Sequence, residues 1–400
     1  MEVNMGYKLK HLQTALTISI LASLPGMGHG QNLGYQPDIV SPFFYTGSGD
    51  FTDGFGLQGI KAGDSKESFI ITGTSNVNGV VYVGPVNHGF TNLGSGTGTW
   101  YVMNVPTSFN AGSTSIYGPE NLGNNNVNLV GSYVSNASGS PRIGFYYTGP
   151  LVNTAGDSSG FSSYQGRNLN TGALADFTYI HSVSGGQANS LAVGNYGFQT
   201  DGNPFGYAFI YNPANPQQPQ IDIKYPDTDK THTAYGIWYN GGSSYTIAGG
   251  VGLPSASSKY GEPFGSAYLM DYDSSTGKFS NYHIYNFKPS GSDKKFFKGK
   301  TLVTHFEGIW SDGKGMYKFP ATVTTTDGGL GRPKVAHVKR RVNGKFNSSA
   351  NWSPIPVPGT TLSTNDSIYG DTSIGLATYP AIEGVSDQII SSYAVTPIKR

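Results

Sequence analysis

Trp100-Tyr-Val-Met-Asn-Val-Pro106, followed by Ser115-Ile-Tyr-Gly118, comes back later in the chain as Trp352-Ser-Pro-Ile-Pro-Val-Pro358, followed by Ser367-Ile-Tyr-Gly370. Matching residues are 252 positions apart throughout, since 352 − 100 and 367 − 115 give the same difference. A constant offset over two separated motifs is the mark of an internal repeat, and repeats decide the fold before any local propensity does. Four repeats between the copies give a mean period of 252/4 = 63 residues.

Val130-Gly-Ser-Tyr133, Val193-Gly-Asn-Tyr196 and Ala248-Gly-Gly-Val251 each follow a strand-like segment centred on Tyr117, Ile180 or Tyr235. Each copy continues into a glycine- and aromatic-rich run: Gly144-Phe-Tyr-Tyr-Thr148, Gly206-Tyr-Ala-Phe-Ile-Tyr211 and Gly265-Ser-Ala-Tyr-Leu-Met-Asp271. The runs are separated by Gly, Asn and Ser clusters at hairpin spacing. A fourth segment ends at proline, as in Ile221-Asp-Ile-Lys-Tyr-Pro226, which suits a sheet edge. Four antiparallel strands per repeat predict an all-β protein built as a β-propeller. First strands start near Leu57, Ser115, Thr178, Thr233, His305 and Ser367. Because the last copy is incomplete, five blades are preferred, with six as the alternative. Closure by the two termini would remove exposed edges.

The Val130–Tyr147 and Val193–Tyr211 segments, and more distantly Ala248–Tyr272, resemble the extracellular HAF-type repeat family, whose units pair a Val-Gly-Ser/Asn-Tyr strand with a Gly-Phe-x-Tyr strand. The resemblance implies export and repeat architecture and names no chemistry.

Composition agrees with strands. Of 400 residues, 57 are Gly, 27 Tyr and 21 Phe, while charged residues make up only 12%, so helix formers are scarce and turn formers plentiful. Stacked sandwiches would need about a hundred residues per domain, which the period does not match. A transmembrane barrel carries aromatic girdles not tied to such a period. With 25 basic against 24 acidic residues, the net charge of +1 supplies no long-range field for nucleic acid or an anionic membrane, and a neutral small molecule or glycan is the expected partner. Oligomeric state is left open by the sequence.

Lys8, Lys10 and His11 precede an apolar run from Leu12 to about Leu24 and the small-residue stretch Gly26-Met-Gly-His-Gly30, which reads as a signal peptide cleaved near Gly30-Gln31. That run is too short to span a bilayer comfortably, so no transmembrane segment is expected. The resulting division is 1–30 signal peptide, 31–50 lead-in and 51–400 a single propeller domain, secreted or periplasmic. No cysteine occurs, so neither disulfides nor a lipid-modified cysteine is available.

A propeller's first strands line its central channel. Aligned on the Tyr-Gly element, Tyr117, Ile180, Tyr235, Glu307 and Tyr369 share one position, with Ser115, Thr178, Thr233, His305 and Ser367 two residues earlier. One repeat thus carries His305 and Glu307 where the others carry hydroxyls and apolar rings. Alternation along a strand would put both on one face, a spacing that suits a general-base pair or shared metal ligation. His305 and Glu307 are the candidate catalytic residues, with the metal and any cofactor left unknown. Against them stands the plainer reading of a hydrogen-bonded polar pair.

Tyr117, Tyr235, Tyr369, Trp238 and Trp310 are candidate ligand-binding residues, since sugar rings stack on such faces; packing between blades would use the same rings. Glu120 and Asp371 follow the Tyr-Gly elements and read as turn residues. Asp53, Asp176 and Glu307 form the alternative acid set a glycoside hydrolase would need. Asp271-Tyr-Asp273-Ser-Ser-Thr-Gly277 reads as a hairpin turn and not a calcium loop. Gly94-Ser-Gly-Thr-Gly98 lacks the Lys-Ser/Thr of a phosphate loop, and Gly160-Phe-Ser162 departs from a nucleophile elbow. The basic segments Lys294–Lys300 and Lys334–Arg341 read as guarded outer edges. The leading expectation is a carbohydrate-binding propeller; the alternative is a hydrolase of glycosides, esters or lactones using His305 and Glu307.

Overall fold

The computed structural model describes residues 41–42, 55–86 apart from 76, 98–153, 158–199, 206–223, 231–252, 265–326, 331–379 apart from 356, 358, 359 and 361, and 389–395. The expected signal peptide and Asp53 lie outside the described residues. Apart from one helical turn at Thr107–Phe109 and one short helix, Gly291–Phe296, the described elements are strands.

Strand pairing divides them into six antiparallel units. The innermost strands are Phe55–Ala62 in unit 1, Ala111–Gly123 in unit 2, Phe177–Ser184 in unit 3 and Thr231–Gly241 in unit 4. In unit 5 the innermost strand is split into Leu302–Phe306 and Trp310–Ser311, and in unit 6 into Leu362–Ser363 and Ser367–Tyr369. Units 2 and 3 touch at their edges through a single parallel bridge, Phe177 to Arg142. The counts of five and six differ in what the last repeat does. Thr372–Tyr379 and Ile389–Val395 do not complete unit 1, which has four strands of its own; they pair with each other, and Ser41–Pro42 adds the outermost strand opposite Tyr393 and Ala394. Ser41–Pro42 thus pairs with the last unit as its outermost strand.

Among the described residues, a buried apolar cluster fills each seam of the ring. Leu57, Ile60 and Ile71 meet Ile374 and Ala394 between units 1 and 6. The others lie between units 1 and 2 (Val81, Leu129), 2 and 3 (Val130, Ile180), 3 and 4 (Val193, Ile247), 4 and 5 (Leu269, Phe319), and 5 and 6 (Val335, Ile368). A twisted sheet of this kind buries both faces against its neighbours, so the second strands are almost wholly apolar or small, as in Leu191–Gly197, where every residue is buried. The fold is a β-propeller.

The four tryptophans sit in these seams: Trp100 against Tyr82 (5.2 Å between ring centroids), Trp352 against Phe287 (5.4 Å), and Trp238 and Trp310 half-buried at the 4/5 and 5/6 seams. The basic segments differ from the expected guarded edges. Lys294 and Lys295 end the short helix, and Lys334, on an interior strand, is 2% exposed with Nζ 2.7 Å from Asp293 Oδ2 and 5.0 Å from the Phe287 ring. The helix brings a carboxylate to the lysine, and a buried ammonium is tolerable only with such a partner. Asp273 does make the expected turn, accepting the backbone N–H groups of Ser275 (2.9 Å) and Thr276 (3.2 Å). No helix among the described residues is long and apolar enough to cross a membrane.

Candidate functional site in the central channel

Each innermost strand carries an extra residue at one matching place along its pairing with the second strand. In unit 1 Leu57 pairs with Gly73 and Gly59 with Thr72, leaving Gln58 as the extra residue. The same bulge isolates Tyr117, His181 and Tyr235 in units 2 to 4. In unit 5 the three residues Glu307–Ile309 stand opposite two, and in unit 6 Thr364–Asp366 do the same. A bulge turns its extra side chain out of the ordinary alternation. The six side chains Gln58, Tyr117, His181, Tyr235, Glu307 and Asp366, one from each unit, line a single cavity of about 90 Å³ on the axis.

Glycine explains how the bulges form. A Cβ on Gly73, Gly131, Gly194, Gly249 or Gly375 would stand 1.9–2.4 Å from the carbonyl oxygen of Gly56, Ser115, Tyr179, Thr233 or Thr364, in each case the residue two before the channel residue. Only a residue without a side chain lets the bulged strand come this close. A second set brings neighbouring units together: a Cβ on Gly59 would meet Tyr117 O at 2.2 Å, on Gly118 the His181 O at 2.6 Å, and on Gly236 the Gly308 carbonyl carbon at 2.8 Å. Where serine replaces this glycine it bonds the next unit instead, Ser182 Oγ accepting the Ile237 N–H and Ser367 Oγ the Ile60 N–H.

The channel ring has two halves. On one side His181 lies 5.2 Å from Tyr117 and 4.6 Å from Tyr235, centroid to centroid, in a continuous aromatic arc. Its Nε2 is 2.7 Å from Asn195 Oδ1, and burial pushes its pKa down to about 4, so the imidazole is neutral at pH 7. On the other side stand Glu307 and Asp366, from adjacent units. Both side chains are half-buried, and protein surrounds them closely. Burial, then the neighbouring Asp366 charge, pushes Glu307 up to about 8, against a smaller opposing hydrogen bond from Thr322. Burial likewise pushes Asp366 up to about 7, and its Oδ2 has no hydrogen-bond partner. The pair therefore retains protons near neutral pH and can donate them.

The remaining expected residues fall elsewhere. His305 is two residues from Glu307 but does not line the channel; it packs against Gly250 and Gly265 of unit 4, where an added Cβ would come within 2.6 Å and 2.9 Å of the ring. The bulge breaks the alternation that would have put the two on one face. Burial lowers the His305 pKa to about 4. Tyr369 lies edge-on to Phe69 (6.4 Å) and Trp310 (6.3 Å), away from the cavity. Trp238 lies across the axis from Lys61, and Trp310 packs under Lys318. Glu120 accepts the backbone N–H groups of Gly185 and Gly186, Asp371 pairs with Lys318, and Asp176 accepts the Gln199 N–H, so none of the three lines the channel. Among the described residues no three His, Asp or Glu gather as metal ligands.

Gln58, His181 and Asp366 were absent from the sequence-derived set. A signal for them exists: Leu57-Gln-Gly-Ile60, Ile116-Tyr-Gly-Pro119, Ile180-His-Ser-Val183, Ala234-Tyr-Gly-Ile237, Phe306-Glu-Gly-Ile309 and Asn365-Asp-Ser-Ile368 share a channel residue followed by Gly or Ser. On this alignment Ser367-Ile-Tyr-Gly370 sits three residues out of step with Ser115-Ile-Tyr-Gly118, because Asp366 and not Tyr369 matches Tyr117.

No family model matches the chain, and no curated protein matches it. Among solved structures it is similar to an endo-arabinase from Bacteroides thetaiotaomicron (9% identity over 91% of this chain and 96% of that one, TM-score 0.34). It is also similar to a Bombyx mori GH32 β-fructofuranosidase mutant in complex with sucrose (9%, 80% and 70%, TM-score 0.37) and to the Dos1 propeller (9%, 89% and 95%, TM-score 0.39). All three superpose only loosely.

Proposed function

We propose that this chain is an exported propeller whose central channel binds a hydroxyl-rich ligand of the carbohydrate class. One observation carries the reading: six side chains, one per unit, converge on one cavity as a protonatable carboxyl pair and an amide facing an aromatic arc. Carboxyls and amide supply donors and acceptors for hydroxyl groups, while Tyr117, His181 and Tyr235 supply ring faces for C–H groups. The cavity is smaller than the roughly 150 Å³ that encloses a benzene molecule, so a terminal group enters the channel and the rest of the ligand stays at its mouth. Export rests on the N-terminal signal pattern.

The test is a titration of the full chain with a panel of mono- and oligosaccharides, read by calorimetry, with Glu307→Gln as the comparison. Saturable binding that weakens more than tenfold in the variant supports the reading; no saturable binding of any member sinks it.

The adjacent carboxyls favour a second reading, hydrolysis of glycosides, esters or lactones. Glu307 would then act as proton donor with Asp366 as its partner, a role the sequence had given to His305. Turnover of a substrate panel with and without chelator separates the two readings, because a binding protein shows saturation without product.

A further inference from the structure

One channel residue is not needed by the reading above. Lys61, three positions past Gln58, leaves the innermost strand of unit 1 and lines the second, adjoining part of the channel with Gln58, His181, Tyr235 and Glu307. Its Nζ lies 5.0 Å from the ring centroid of Trp238, which belongs to unit 4, so the side chain bars the axis from one side to the other. Trp238 offers a π face, which attracts a cation but accepts no strong hydrogen bond. Among the described residues no carboxylate pairs with Nζ and no hydrogen bond reaches it. Glu120, whose charge partly offsets the burial of Lys61, is already committed to Gly185, Gly186 and Asn128. Three ammonium donors therefore face a nearly enclosed space with nothing to receive them, an arrangement that costs free energy until an acceptor arrives.

We propose that Lys61 receives a carboxylate, so that the channel's ligand is a sugar acid whose acid group enters first and whose hydroxyl-bearing remainder points to the mouth. The proposal rests on the carbohydrate reading of the channel and narrows it. A carboxylate set against Nζ would also reach the Gln58 amide, and protonated Glu307 donates to an anion where an ionised one would repel it. Lys61 is then the residue that selects for charge, while the carboxyl pair and the aromatic arc handle the hydroxyls. The near-zero net charge of the chain points to a neutral partner only at long range and says nothing about one cation inside a channel.

The experiment is calorimetric titration of the full chain at pH 6 with three probes: D-glucuronate, its uncharged methyl ester and D-glucose. Glucuronate is expected to bind at least tenfold more tightly than the other two. Lys61→Met should bring the three within about twofold, while Lys61→Arg, which keeps the charge, should retain most of the preference. Equal binding of acid and ester by the unaltered protein overturns the proposal without recourse to any variant, as does a preference that survives in Lys61→Met. If glucose and the ester bind but glucuronate binds no better, only the role of Lys61 fails. If none of the three shows saturable binding, the carbohydrate reading fails and takes this proposal with it.

Discussion

His181 in unit 3 and Glu307 in unit 5 occupy the same extra position of the same bulge, and their surroundings differ completely. The imidazole is held on every side, with Asn195 on Nε2, Tyr179 stacked at 5.7 Å and Tyr235 set edge-on. Glu307 faces a second carboxyl, Asp366, one of whose oxygens is unpartnered. The backbone that projects the two side chains is repeated; the satisfaction of those side chains is not. In unit 3 the polar group has been made part of the core, whereas in units 5 and 6 it has been left costly, which is how groups kept for chemistry or binding differ from groups kept for folding.

The largest effect should come from attacking the repeated backbone. Gly194→Val forces a side chain into the carbonyl of Tyr179 and should cost about 3 kcal/mol or more, read by denaturant unfolding. Unit 5 is the natural control, because Ala321 opposite Phe306 stands where Gly194 stands opposite Ile180. Ala321→Gly should cost only about 1 kcal/mol. Equal costs would mean that the close approach of Gly194 to the Tyr179 carbonyl does not constrain the unit 3 bulge.

Next come the side chains themselves. Glu307→Gln should weaken the best-binding saccharide more than tenfold. His181→Phe keeps the aromatic face and should weaken it less than about threefold. A reversal of that order would place the binding surface on the satisfied half of the ring.

The same contrast sets a pH dependence. In the unfolded chain Glu307 and Asp366 lose their protons near pH 4; folded, they hold them to about 8 and about 7. The folded state therefore binds more protons across that interval, and stability falls as pH rises through it. His181 and His305 act the other way, since the unfolded imidazoles take up protons below about 6.5 and the folded ones not until about 4. Stability from them rises with pH between 4 and 6.5 and is then complete. Two acids and two imidazoles offset one another over the lower interval, leaving a net fall in melting temperature from pH 6.5 to 8. Glu307→Gln should flatten that fall; an unchanged slope would show that the carboxyls titrate normally.

The repeat, the four-stranded units and the channel role of the first strands were legible because they depend on spacing and on glycine, and the glycine of Val130-Gly131, Val193-Gly194 and Ala248-Gly249 is what the bulge requires. Tyr117, Tyr235 and Glu307 were found for the same reason. His181 and Asp366 were missed because serine takes the place of the following glycine in those two units, so a Tyr-Gly template slid to Ile180 and Tyr369. The pairing of His305 with Glu307 came from strict two-residue alternation, which holds in a regular strand and fails across a bulge. Lys61 was invisible because its significance lies in a residue of the opposite unit.

Tyr369 gives the finest test of that register. It shares its Tyr-Gly sequence with Tyr117 and Tyr235, but its ring is wedged between Phe69 and Trp310 outside the cavity. Removing its hydroxyl leaves the packed ring in place, so Tyr369→Phe should change stability by less than about 0.5 kcal/mol and saccharide affinity by less than twofold. Tyr235→Phe, which strips a hydroxyl from the channel ring itself, should weaken affinity several-fold. If the two variants lose affinity equally, the sixth unit presents Tyr369 and not Asp366 to the ligand, and the carboxyl pair loses its second member.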